Sequence, residues 1–184
     1  MTKREARSRA KALRAALDME NIGHTMARVL FALPCWQQAS TVLAFASLPD
    51  EPDTLPILHR ALADGKRLLL PRVTGNGLMD WVEIPDLALL HRGTYGIAEP
   101  PADMPPVCTP KDDRTLALIP CLAAGTNGVR LGRGGGYYDR FLAHYKGKRL
   151  LLCPSALLLP EVPADDWDIR FSPEQILTEK GILV

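Results

Sequence analysis

The stretch that decides the fold runs from Thr41 to Leu70. It opens on Thr41-Val42-Leu43-Ala44-Phe45-Ala46, a short continuous apolar run. Thr54 then precedes a segment bearing Leu55, Leu58, Ala61 and Leu62, which Gly65 closes before Arg67-Leu68-Leu69-Leu70. The spacing predicts a buried strand, a helix capped by Thr54 and a second buried strand. A helical crossover between two strands returns the chain in the same direction, so the pair is parallel. Strands that are apolar throughout, rather than alternating, suit a parallel sheet covered on both faces.

Working outward, Gly75-Asn76-Gly77 forms a turn into Leu78 to Ile84, expected as a hairpin partner at the sheet edge. Upstream, Ala6, Ala10, Leu13 and Leu17 fall on one side of a helix from Lys3 to about Leu17, with Arg and Lys on the other side. A second helix follows the Asp18 cap, carries Ile22, Met26, Val29, Leu30 and Leu33, and stops at Pro34. Downstream, Pro-rich Ile97 to Arg114 reads as a surface loop. Thr115 to Ile119 reads as a strand, Gly125 to Gly136 as a glycine-rich loop, Tyr137 to Tyr145 as a helix and Arg149 to Cys153 as another strand. The sum is an α/β fold with a mainly parallel sheet covered by helices. The 184 residues suffice for a single domain, 1–184.

Composition narrows the function classes. The 22 Lys+Arg nearly cancel the 21 Asp+Glu, which argues against a protein that coats nucleic acid or an anionic membrane. The longest oily stretch, Leu150 to Leu159, is broken by Pro154 and Ser155 and is too short to span a bilayer. Cys35, Cys108, Cys121 and Cys153 are widely separated and show no metal-ligand spacing, so they are expected to be reduced thiols of a cytoplasmic protein. The near-zero charge hides an asymmetry. Residues 1–14 and 130–149 together hold 12 Lys+Arg against 2 Asp+Glu.

The chemistry concentrates in Arg130-Leu131-Gly132-Arg133-Gly134-Gly135-Gly136-Tyr137-Tyr138-Asp139. Clustered glycines let successive backbone N–H groups approach an anion, and the following helix N-terminus and the two arginines add positive potential. The loop is neither a Walker A motif nor a Rossmann fingerprint. Taken alone, the glycines also fit a plain turn. Asp139 in the first helical turn is a candidate Mg²⁺ ligand beside phosphates, or a carboxylate that only answers the helix dipole. Lys3 and Arg7, four apart, share a helix face and suit a triphosphate or a solvated basic surface. The acids Asp165, Asp166 and Asp168 read on their own as a solvated loop.

With these residues in view, the chain resembles the 5-formyltetrahydrofolate cyclo-ligase (methenyltetrahydrofolate synthetase) family. The carriers are Arg130 to Asp139 preceded by Ile119-Pro120, then Lys3-Arg4 with Arg7, Asp50-Glu51-Pro52-Asp53-Thr54, Leu70-Pro71-Arg72, Tyr95-Gly96-Ile97 with Glu99-Pro100, and Val162-Pro163 leading to Asp168. The resemblance implies a three-layer αβα fold with a basic N-terminal helix and a phosphate loop between strand and helix. It implies an ATP- and Mg²⁺-dependent ligase that closes 5-formyltetrahydrofolate, polyglutamylated or not, to 5,10-methenyltetrahydrofolate. By position, Lys3, Arg4, Arg7 and Arg130, Leu131, Gly132, Arg133, Gly134, Gly135, Gly136, Tyr137 and Tyr138 would bind ATP. Leu48, Asp53, Tyr95, Arg133, Gly134, Gly135, Gly136 and Tyr137 would contact the folate, Arg133 and Tyr137 being catalytic, while Asp139 and Asp168 would hold Mg²⁺. The expected form is a monomer, with no nucleic-acid or membrane partner. Alternatives are a same-fold ATP-dependent enzyme acting on another small acyl-amine and a non-catalytic folate- or nucleotide-binding regulator. The chain departs from the family pattern at Ala6, at Cys121-Leu122-Ala123-Ala124-Gly125 and at Pro154-Ser155-Ala156-Leu157.

Overall fold

The computed structural model describes residues 1–75, 77–93, 96–110, 112–166 and 168–183. The basic helix α1 (Lys3–Arg14) starts at a capping box in which Thr2 and Glu5 satisfy each other's backbone N–H groups. Its buried face is Ala6, Ala10 and, unexpectedly, Arg14, which is 2% exposed, whereas Leu13 is 38% exposed. The Asp18 carboxylate accepts from Asn21 N–H and opens α2 (Met19–Ala32). Pro34 ends that helix and also begins a short one, α3 (Pro34–Gln38), because a proline at the first position sacrifices no helical hydrogen bond.

The parallel unit forms as expected: β1 (Thr41–Leu43), α4 (Leu55–Ala63) and β2 (Arg67–Gly75), with Val42 opposite Leu68. Two details differ. Thr54 does not cap α4 through its side chain; its hydroxyl donates to Phe45 O (2.7 Å) and accepts from Ser47 N–H (3.0 Å), which folds the connecting loop onto itself. The core face of α4 is Ile57, Leu58 and Ala61, while Leu55 is exposed. That loop also presses on α2. A Cβ on Gly23 would lie 2.3 Å from the backbone N and O of Asp53, so only glycine admits the approach.

The hairpin strand β3 (Leu78–Glu83) pairs antiparallel with β2 at the edge, as read from the turn; Asn76 lies outside the described residues. The middle segment is not loop throughout, since β4 (His91–Arg92) pairs with β5 (Ala98–Glu99). Next comes β6 (Thr115–Pro120). The segment 125–136 is likewise not one continuous loop: β7 (Ala123–Gly125) pairs with β8 (Arg130–Leu131). The helix after the glycines is α5 (Tyr137–His144), followed by β9 (Lys148–Leu152). Three short strands follow that the sequence reading did not anticipate, β10 (Leu158–Leu159), β11 (Ile176–Thr178) and β12 (Gly181–Ile182).

The described residues form a seven-stranded sheet in the order β12-β11-β9-β6-β1-β2-β3, parallel except at its two edges, and a small sheet β10-β7-β8. Strand side chains alternate between two apolar layers. Leu43, Leu69, Ala117, Ile119 and Leu151 face α1, α5 and the small sheet; Val42, Leu68, Leu70, Leu118 and Leu150 face α2, α3 and α4. The helix α5 is seated on β3 by a run of rings, Trp81 to Phe141 (centroids 5.0 Å) and Phe141 to Tyr145 (4.9 Å). Among the described residues, no helix is long and apolar enough to cross a membrane.

Candidate functional site

The carboxyl ends of β1, β2 and β6 open into a cavity of about 430 Å³ walled by Phe45, Leu48, Pro71, Met79, Leu122 and Tyr137. Ligands in open α/β sheets gather at this end. A second cavity of about 460 Å³ is charged, presenting Lys3, Arg7, Arg140, Asp165 and Asp168. Between them runs the glycine-rich segment. Arg130, Gly132, Gly134, Gly136 and Asp139 border both cavities.

Backbone conformation sets this wall. Gly134 (φ 105°) and Gly136 (φ 72°) occupy conformations that L side chains rarely adopt, and Gly136 leads directly into α5. From α1, Arg7 Nε donates to Gly132 O (2.9 Å), tying the basic helix to the loop. Arg130 Nε donates to Pro120 O (2.8 Å) and Nη1 to Asp139 Oδ1 (2.9 Å), while its guanidinium lies 5.5 Å from the Tyr138 ring centroid.

Lys3 pairs with Asp165 (2.6 Å) and Asp168 (2.7 Å). Burial works against its ammonium, but the two carboxylates prevail and hold it above its usual range. Burial likewise opposes ionisation of Asp168; hydrogen bonds from Lys3 and Asp165 N–H, with the charges of Lys3 and Arg130, hold its carboxyl below the usual value. Leu131 is buried in β8 and lines the charged cavity. Arg4 is exposed and borders neither cavity.

On the apolar side, Arg133 bridges to Asp50 (2.6 Å) and Glu51 (3.0 Å). Burial opposes the Asp50 charge too, yet the Arg133 guanidinium beside it keeps its carboxyl low. Glu51, 8% exposed, also accepts from Leu48 N–H (3.0 Å) and turns into the cavity. Sequence reading had not singled it out. Asp53 lies apart: it accepts from Leu55 N–H (2.9 Å) at the start of α4, stands 3.4 Å from His24 and lines neither cavity. Tyr95 lies outside the described residues. Tyr138 borders the apolar cavity with a buried hydroxyl that has no hydrogen-bond partner among the described residues, and burial pushes its pKa upward.

No group of three or more His, Cys, Asp or Glu that could by itself hold a metal ion occurs among the described residues. Asp139 and Asp168 nevertheless both face the charged cavity. Mg²⁺ is commonly held by one or two carboxylates, with phosphate oxygens and water completing the shell, so this donor pair fits a phosphate-bound ion.

The sequence profile of the 5-formyltetrahydrofolate cyclo-ligase family matches residues 1–179. The chain belongs to this family. Among curated cyclo-ligases it is 31% identical over 170 residues to that of Escherichia coli K12, covering 89% of this chain and 91% of the relative. It is 32% identical over 151 residues to that of Mycolicibacterium smegmatis, covering 78% and 76%. The 5,10-methenyltetrahydrofolate synthetase of Aquifex aeolicus, solved by NMR, superposes with a TM-score of 0.84 at 28% identity, covering all of this chain and 92% of that one. The synthetase of Mycoplasma pneumoniae, with a TM-score of 0.75 at 18% identity over 97% and 99% of the two chains, shares the fold. The three-layer α/β architecture expected of a cyclo-ligase is thus the one observed.

Proposed function

We propose that this chain closes 5-formyltetrahydrofolate to 5,10-methenyltetrahydrofolate at the expense of ATP, releasing ADP and phosphate. The observation that carries the reading is the common wall: one glycine-rich segment borders an apolar cavity suited to a fused ring and a charged one suited to a triphosphate. Membership of the cyclo-ligase family supports it.

A formyl amide is a poor electrophile, so its oxygen must first become a leaving group. Attack of that oxygen on the γ-phosphorus breaks the bond to the β–γ bridging oxygen and frees ADP. The folate's nitrogen 10 then adds to the activated carbon and loses its proton, and phosphate departs with the electrons of the C–O bond. Such transfer demands alignment and charge neutralisation rather than a protein nucleophile.

The residues divide accordingly. Lys3, Arg7, Arg130 and the N–H groups of 132–136 hold the phosphates, with Arg4 and Tyr138 retained from the family pattern on the nucleotide side. Asp139 and Asp168 would hold Mg²⁺, which supplies charge neutralisation across the phosphate oxygens. Leu48 and Tyr137 support the folate ring, and Tyr95 is expected beside it. Asp53 is bonded within its own loop, so Glu51 is the carboxylate this geometry favours for the N–H donors of the pterin. Arg133 stays cationic: burial opposes its charge, but Asp50 and Glu51 raise it above the usual value beside the transferring phosphoryl group.

The test is spectroscopic. Mixed with 5-formyltetrahydrofolate and MgATP, the protein is expected to generate the methenyl chromophore and ADP in equal amounts. ADP without the chromophore would identify another acceptor, and nucleotide binding with neither product would identify a regulator.

A further inference from the structure

Cys121 and Cys153 stand one residue beyond a register pair. Pro120 of β6 lies opposite Leu152 of β9 in a parallel ladder, so the two cysteines leave adjacent strands side by side. Both belong to the apolar layer that also takes Ile119 and Leu151, which puts their side chains on the same face of the sheet. The two thiols are neighbours that act on each other's ionisation. Cys121 Sγ donates to Leu152 O (3.3 Å), and Cys153 Sγ to Pro154 O (3.6 Å). Both residues are buried, 5% and 0% exposed, yet Cys121 lines the apolar cavity and can be reached from it.

A buried cation completes the arrangement. Arg14 donates through Nη2 to the carbonyl of Cys121 (2.5 Å), through Nε to that of Leu122 (3.0 Å) and through Nη1 to that of Asp50. Its acceptors there are neutral carbonyl oxygens, so its positive potential remains available to a neighbouring anion. The neighbouring Cys153 thiol, then the charges of Arg14 and Arg130, hold the Cys121 thiol below its usual value against the effect of burial, while Cys121 and burial push Cys153 up. A thiol whose ionisation is eased, beside a partner whose ionisation is hindered, supplies the attacking and the resolving sulfur that redox-modified cysteines require.

We propose that Cys121 and Cys153 are a modification site for small peroxides, an oxidisable dithiol reached through Cys121 at the wall of the apolar cavity. The Cys121 thiolate attacks one peroxide oxygen; an S–O bond forms, the O–O bond breaks and hydroxide leaves. The Cys153 thiolate then displaces hydroxide from the Cys121 sulfenic acid, forming the S–S bond, and a proton from Cys153 converts that hydroxide to water. Two thiol sulfurs are oxidised by one electron pair in total, and two peroxide oxygens are reduced. A thiol reductant reverses the change. The bond staples the ends of β6 and β9 beneath Leu122 and Pro120, both of which line the cavity. Its effect on turnover rests on the proposed function, whereas the oxidation itself does not.

The full-length reduced protein is treated with hydrogen peroxide, alkylated and mapped by mass spectrometry, with methenyl formation followed in parallel. The expected product is a Cys121–Cys153 cross-linked peptide that forms ahead of any change at exposed Cys108. 5-Formyltetrahydrofolate slows its formation and dithiothreitol reverses it. In Cys153→Ser, oxidation stops at a Cys121 sulfenic acid that dimedone captures. Cyclisation in the oxidised wild type falls by on the order of tenfold to a hundredfold, as for a misplaced substrate contact, and recovers on reduction. Oxidation at Cys35 or Cys108 while Cys121 and Cys153 remain thiols overturns the modification site. Cross-linking with undiminished cyclisation overturns its control of turnover. Cross-linking in a protein that forms no methenyl product even when reduced upholds the site and overturns the functional reading alone.

Discussion

Asp139 borders both cavities and stands 2.9 Å from Arg130. Asp139→Asn preserves its shape and removes its charge. Turnover with Mg²⁺ is expected to fall by at least on the order of tenfold to a hundredfold, while ATP binding measured calorimetrically in chelator changes little. Undiminished turnover would remove Asp139 from the metal role. At the same scale, sequence reading was uneven. The motif from Arg130 to Asp139 was legible as a connection between a strand and a helix, because clustered glycines mark a turn and Tyr137 opens a helical run. The acidic run Asp50-Glu51-Pro52-Asp53 was not, because a loop has no period from which to infer facing. Glu51 turns inward because Arg133, 82 positions away, and Leu48 N–H converge on its carboxylate. Asp53 instead satisfies the first turn of α4. The available signal was the need of a loop arginine at a cavity edge for a nearby counter-charge. Arg14 was misread for a related reason: a guanidinium at the end of a basic helix looks solvated until three carbonyl oxygens are found around it.

Most elements of five or more residues formed where their sequence periods placed them, as α1, α2, α4, β2, β6 and β9 do, although α3 was not anticipated and the buried faces of α1 and α4 shifted to include Arg14 and Ile57. The strands β7, β8, β10 and β12, of two or three residues each, escaped because so few positions cannot display alternation and their pairings are correspondingly short. The phosphate wall depends on one such pairing, since β8 is the strand from which the glycines depart. Gly134 is its most constrained position, with φ 105°. Gly134→Ala is expected to cost about 1–3 kcal/mol in denaturant unfolding, the range for a residue forced into a sparsely populated conformation, and to weaken ATP binding by distorting the segment between the two cavities. An alanine variant with wild-type stability and nucleotide affinity would show that the loop tolerates a different path.

At the scale of the molecule, opposite charges are gathered where the chain's distant parts meet. Lys3 engages Asp165 and Asp168, and Arg133 engages Asp50 and Glu51. Asp50 and Asp168 titrate below their usual values in the folded protein, so the unfolded chain protonates them first as pH falls. Their contribution to stability is therefore complete above the ordinary carboxylate range, near about pH 4, and is lost as pH drops through the lower folded values. Melting temperature should hold steady at neutral pH and decline in acid, with the Asp168→Asn curve lying below wild type at neutral pH and converging on it in acid. Parallel curves at all pH values would sink this assignment.

The anchoring of α1 also has a consequence for how the molecule is assembled in time. Apart from the Asp50 carbonyl, 36 residues on from Arg14, its partners lie far along the chain: Leu122, reached by Arg14, is 108 residues away, Gly132, reached by Arg7, is 125 away, and Asp165 and Asp168, reached by Lys3, are 162 and 165 away. During synthesis the helix leaves the ribosome long before any of them exists. Contacts of such separation close late and slowly. The basic helix thus waits, cationic and without these distant anchors, until the last third of the chain arrives, and the two cavities acquire their common wall only at that closing step.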